Sequence, residues 1–235
     1  MVPSWTETLL AAGITVVGRT RYCIHPAKDV SSIPVVGGTK DWDWDKIQAL
    51  TPDLIILDQE ENPLFMAEQA SIPFLATHIT SVESVSVELR NLGLHLKNDF
   101  LMKLAQEWQR LTPYRGELPG VVQWGLRPSA QPQSVYYVIW KNPWMVVSRD
   151  TFVGSMLSYC GIEVPFFDKK YPVIEEARLR DQQNALLLFS TEPYPFLKHR
   201  DELAKLGTPY ALVDGEQFSW FGLRSLRFLQ GLSRS

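Results

Sequence analysis

At 235 residues the chain has room for one large domain or two small lobes. Its 45% hydrophobic and 21% charged residues are those of a globular protein, which excludes disorder, a collagen-like fibre or a coiled coil as the main architecture. With 23 Lys and Arg against 26 Asp and Glu, the net charge is −3 and no basic block appears, so nucleic acid is not expected as a partner.

The first half alternates short helices and strands. Thr6 to Ala12 reads as a helix stopped by Gly13, and Ile14 to Gly18 as a short β-branched strand. Pro34-Val35-Val36 reads as another strand, and Trp44 to Leu50 as a helix capped by Asp43. Leu54-Ile55-Ile56-Leu57 is a continuous apolar run of the kind found in strands covered on both faces. Pro63 to Ala70 is helical, Ile72 to Ala76 is the next strand, and Ser81 opens a helix to about Asn91. Lys97 to Leu111 contains no Gly or Pro and places apolar residues at 100, 101, 104, 105, 108 and 111, one helical face. A solid helix between two α/β halves suits a rigid connector; an ordinary packing helix within one domain is the alternative. In the second half, Val121 to Trp124 and Val135 to Trp140 read as strands. Asp150-Thr151 begins a helix that runs to Tyr159 and stops at Gly161, and Asn184 to Ser190 is a buried strand. Pro195 to Leu206 is helical, Tyr210 to Val213 is a strand, and Ser219 caps a final helix.

Chemistry-bearing motifs are missing. The four histidines, His25, His78, His95 and His199, have no i,i+4 pairing, so no protein-borne metal site is expected. Gly37-Gly38 is neither a P-loop nor a dinucleotide fingerprint, and no GxSxG elbow occurs. Cys23 and Cys160 are expected as two buried thiols, with one long-range disulfide as the alternative. No catalytic residues are assigned, which favours binding over chemistry, and no intrinsic cofactor is expected. No apolar run approaches the ~20 residues needed to span a bilayer. The eight tryptophans, 5, 42, 44, 108, 124, 140, 144 and 220, exceed what a core of this size needs, so some rings are expected to line a cleft.

Four segments resemble one family. They are Val2-Pro-Ser-Trp-Thr-Glu-Thr-Leu-Leu-Ala-Ala-Gly-Ile; Gly37-Gly-Thr-Lys through Leu50-Thr-Pro-Asp-Leu-Ile-Ile-Leu; Trp140-Lys-Asn-Pro-Trp through Met156-Leu; and Ser190-Thr-Glu-Pro-Tyr-Pro-Phe with Val213-Asp-Gly-Glu-Gln-Phe-Ser-Trp. Together they resemble the class III periplasmic substrate-binding proteins of ABC importers, which serve corrinoids, haem and ferric siderophores. The resemblance implies an α/β fold of two small lobes joined by a single long backbone helix. Residues 1–80 would form the first lobe, 81–112 its helix and the backbone helix, and 113–235 the second lobe. Members usually begin with a strand just before Val-Pro-Ser, which this sequence lacks, and the first residues do not read as a secretory signal. The resemblance therefore implies a periplasmic protein, and the start at Met1, if genuine, a cytoplasmic one.

The same resemblance places a ligand between the lobes, at loops after strand ends. The expected ligand is cobalamin, haem or a ferric siderophore. By position Trp5, Trp42, Trp44, Trp140, Trp144 and Trp220 are its candidate walls, with Arg149 and Tyr194 as hydrogen-bond donors; Trp108 and Trp124 suit the core or connector. Glu61 and Glu192, in matching loops of the two lobes, are candidates for docking onto an ABC permease dimer. The protein is expected to be a monomer. The rival readings are an α/β enzyme of chelatase type, needing His25 or His78 with an acid, and a scaffold of this fold that has lost its ligand.

Overall fold

The computed structural model describes residues 2–233. They divide into two units, one built from the chain up to Leu111 with Trp220–Arg227, the other from Thr112–Ser219 with the chain from Phe228 onward.

The first unit opens on α1 (Pro3–Ala11). Proline suits the first turn, where its missing N–H costs nothing, and the helix stops ahead of Gly13 at φ 71°. After α2 (Ala27–Val30), the Asp43 carboxylate accepts the Lys46 amide at 3.1 Å and starts α3 (Trp44–Ala49). The apolar run then becomes β1 (Ile55–Asp58), buried at all four positions. α4 (Leu64–Glu68) leads to β2 (Phe74–Thr77), which pairs in parallel with β1, Ile56 opposite Leu75. Ser81 and Ser84 form a reciprocal cap on α5 (Val82–His95), and Asn98 caps α6 (Asp99–Gln109). The two helices pack along each other, and Leu89 and Leu92 on one and Leu101, Leu104 and Ala105 on the other are buried.

α6 is two residues shorter at each end than the expected Lys97–Leu111 helix and belongs to the first unit. Its Trp108 is buried, and the indole N–H donates to the Gly222 carbonyl at 2.9 Å. Gly222, at φ 83°, lies so close to α1 that a Cβ there would meet Thr8 Oγ1 at 2.4 Å. Leu223 N–H donates to that hydroxyl, and Arg224 makes two 2.8 Å bonds to Glu7. Residues late in the chain thus complete the unit that begins it.

Two expected strands are absent here. Ile14–Gly18 joins no sheet, and Pro34–Val36 makes only an isolated bridge between Arg19 and Val35. β-branched composition does not make a strand without a partner to pair with.

In the second unit β3 (Val121–Trp124), β4 (Ser134–Trp140), β5 (Met145–Val146), β6 (Ala185–Ser190) and β7 (Tyr210–Val213) form one sheet of order β3-β7-β6-β4-β5. The central β7, β6 and β4 run parallel, and the two edge strands are antiparallel to their neighbours. All six residues of β6 are buried, as its Ala-Leu-Leu-Leu-Phe-Ser composition requires. α7 (Phe152–Tyr159) starts where Thr151 Oγ1 accepts the Gly154 amide at 3.0 Å. The expected helix over Pro195–Leu206 is broken into two 3₁₀ turns around α8 (Arg200–Leu203), because Phe196 turns inward onto Phe189 and Tyr194. Ser219 is not a cap for the last helix. It ends α9 (Gly215–Ser219), its hydroxyl donating to Gly215 O and to Glu192 Oε1. α10 (Leu223–Leu232) follows, with Leu223–Arg227 grouped in the first unit.

Cys23 and Cys160 are both buried and unpaired. Burial pushes the Cys160 thiol up to about 12, so it stays protonated and unreactive at neutral pH. Among the described residues no helix is long and apolar enough to cross a membrane.

Candidate functional site

Parallel strands bring their carboxyl ends to one side of a sheet, and ligands of open α/β sheets bind there. Trp140 is the last residue of β4, and Tyr194 lies four residues beyond β6. Their rings meet edge to face at 5.4 Å, and Trp140 keeps 39% of its surface exposed. Tyr194 is held from behind by Phe196 at 4.5 Å and His199 at 5.3 Å. Lys141, paired with Glu202, lies 5.6 Å from the Trp144 ring centre. The structure so gathers two of the expected ligand-binding residues, Trp140 and Tyr194, into one aromatic ledge. Arg149 is exposed on the segment before α7.

Trp144, the next expected wall residue, lies between β4 and β5. It is buried, parallel to Phe196 at 6.3 Å, and its N–H donates to Glu176 at 3.0 Å. Trp5 and Trp220 likewise pack within the first unit. Trp5 is 1% exposed, against Phe221 at 5.1 Å, and Trp220 is buried beside His25 and the Arg224 guanidinium. All three rings are packed against neighbours within their own units. Trp42 and Trp44 are half-buried and edge to face at 5.5 Å over Val36, Ile47, Ile55 and Leu57. Trp44 donates to Gln69, whereas the buried Trp42 N–H has no acceptor among the described residues.

The loop after β1 holds the first expected docking acid. Asp58, fully buried, accepts from Thr77 Oγ1 at 2.8 Å, from the Glu60 amide at 3.0 Å and from the Ile79 amide at 3.2 Å. Asn62 closes the turn by accepting the Asp58 amide and donating to Thr39 O. Glu61 stands exposed on this braced loop, and the neighbouring Glu60 pairs with His78 at 2.8 Å. The second acid, Glu192, is half-buried and accepts the Ser219 hydroxyl at 3.0 Å.

Sequence reading assigned no role to Asp58, Thr77 or His199. An acid closing the apolar run Leu54–Leu57 was the available signal, since such a position needs local donors.

Burial raises the Asp58 pKa in spite of its three hydrogen bonds. A raised carboxylate pKa means that the folded state holds the proton more tightly than the unfolded one. Stability therefore falls as pH rises from the unfolded carboxyl range, about 3.9, through the folded value. Urea unfolding across that range should show this slope in the native protein and its absence in Asp58→Asn; an unchanged slope in the variant would place the titration elsewhere.

The periplasmic binding protein family matches residues 2–112. A vitamin B12-binding protein from Pectobacterium carotovorum subsp. carotovorum (strain PC1) is 24% identical over 234 residues, covering 96% of this chain and 83% of that protein. The periplasmic vitamin B12-binding protein BtuF of Vibrio cholerae superposes with a TM-score of 0.71 at 16% identity, over 100% of this chain and 93% of that one. The periplasmic haem-binding protein BhuT, solved with two haems, gives 0.73 at 21% identity, over 99% of this chain and 94% of that one. The family match thus covers residues 2–112, and the chain as a whole has the α/β fold of these solved binding proteins.

Proposed function

We propose that the protein is a non-enzymatic receptor that captures a corrinoid or a related flat metal chelate and hands it to an ABC importer. The observation that supports this most is the match along 96% of the chain to a relative named for vitamin B12 binding. The ledge of Trp140 and Tyr194 suits such a ligand, because an exposed ring at a strand's carboxyl end can stack on a planar macrocycle. In the first unit Trp42 offers an unmet N–H, a donor that regains its lost hydrogen bond when a ligand oxygen accepts it. Glu61 and Glu192 are the acids for importer contact, so replacing both with alanine should leave ligand affinity unchanged.

Titration with cyanocobalamin, haemin and ferrioxamine tests the reading. At least one should bind more tightly than about 100 μM, which corresponds to roughly −5.5 kcal/mol. Trp140→Ala combined with Tyr194→Ala should weaken that binding about 30-fold, near 2 kcal/mol, as for an aromatic hot spot. Failure of all three probes would end the receptor reading; full affinity in the double variant would end the role of the ledge.

A further inference from the structure

One carboxylate is bonded to a neighbour of each ring of the ledge. Glu202, on α8, accepts from Lys141 Nζ through Oε2 and from His199 Nδ1 through Oε1, the latter at 3.4 Å. Lys141 follows Trp140 in the chain, and the His199 ring packs on Tyr194 at 5.3 Å. Glu202 therefore joins the end of β4 to the segment after β6 at the place where Trp140 and Tyr194 meet.

Both ends of this link are held firmly. Leu203, next to Glu202, is fully buried in the core that contains Phe189 and Phe196, and the Arg200 carbonyl at the start of α8 accepts from the Tyr210 hydroxyl at 3.4 Å. A lysine with no partner extends its ammonium into water. Lys141 does not: only 16% of its side chain is exposed. The bond from Lys141, and after it the bond from His199, lowers the Glu202 pKa, so the acceptor is ionised at neutral pH.

We propose that Glu202 is a positioning residue for the ledge, setting Trp140 and Tyr194 in the orientation that a flat ligand meets. This rests on the receptor reading and adds to it a residue that acts without touching the ligand. Anchoring Lys141 fixes the backbone on which Trp140 stands, and anchoring His199 fixes the ring on which Tyr194 rests. Trp140 is 39% exposed, so packing alone leaves its ring partly free. Rings ordered beforehand have already given up the rotamer freedom that binding would otherwise remove, and affinity rises with no new contact.

Two readouts test this role. In the ligand-free protein, nuclear Overhauser effects between the Trp140 and Tyr194 ring protons should weaken in Glu202→Ala. They should persist in Glu202→Gln, whose amide oxygen still accepts from Lys141. With cyanocobalamin as the probe, Glu202→Ala should weaken binding about 5-fold, the upper range for an exposed ion pair, and Glu202→Gln should weaken it less. Added to Trp140→Ala with Tyr194→Ala, Glu202→Ala should weaken binding no further, because a residue acting only through the rings then has nothing left to position. A loss of the same size in that ringless background would overturn the proposal, since Glu202 would then meet the ligand itself. So would ring contacts in Glu202→Ala that match those of the native protein. If cyanocobalamin does not bind the native protein, the receptor reading loses that ligand, and the ring contacts alone decide the role of Glu202.

Discussion

Trp5→Ala should lower the unfolding free energy of the first unit by about 3–5 kcal/mol, the range for removing a buried aromatic side chain. The ring is 1% exposed and edge to face with Phe221 at 5.1 Å. Its N–H donates to Thr77 Oγ1 at 2.9 Å, and that hydroxyl in turn donates to Asp58 and to Leu57 O. Truncation leaves a void and also loosens the chain of bonds that holds the loop after β1. Trp5→Phe keeps most of the ring and loses only the N–H, so it should cost about 1–2 kcal/mol. Urea unfolding followed by circular dichroism measures both. A loss below about 1 kcal/mol for Trp5→Ala would show that the ring is not a core element and would favour its role as a ligand wall.

Arg224→Ala should cost about 3 kcal/mol, because it strands the Glu7 carboxylate on the buried side of α1. The pair is bidentate, with both bonds at 2.8 Å, a geometry that lysine cannot reproduce. Arg224→Lys should therefore fall between wild type and Arg224→Ala. Glu7→Gln with Arg224→Met, which removes both charges together, should recover most of the stability lost in Arg224→Ala. If the double replacement costs as much as the sum of the single ones, the two residues are not coupled, and the closure of the first unit by the late segment rests on Trp108 and Gly222 instead.

How legible each element was depends on where its stability comes from. Leu54–Leu57 and Ala185–Phe189 are so apolar that only a strand covered on both faces suits them, and both appear as expected. Asp43 and Thr151 cap their helices through bonds to amides three residues on, a local interaction that composition shows directly. Ile14–Gly18 has the same β-branched character, but pairing is non-local, and its neighbour in space is a cavity. The tryptophans show the limit for the site. Trp5 and Trp140 are alike as letters, yet one sits in the first turns of a helix against a core and the other at the open end of a strand. Which ring meets solvent is set by the topology around it, and that is not written in the residue itself. Asp58 was hidden for the same reason: its partners Thr77 and Ile79 come from the next strand and the loop after it.

The closing of the first unit by Gly222, Leu223 and Arg224 also sets a timetable for synthesis. Leu111, the last residue of that unit's early segment, is made 109 residues before Trp220. At about 5–20 residues per second, the early segment waits roughly 5–20 s on the ribosome for the piece that completes it. Throughout that interval Glu7 lacks its guanidinium and the Trp108 indole its carbonyl, while the whole second unit except its last residues is being made. The half of the protein that is translated first is thus the half that finishes folding late, and damage at the far end of the chain is felt at its beginning.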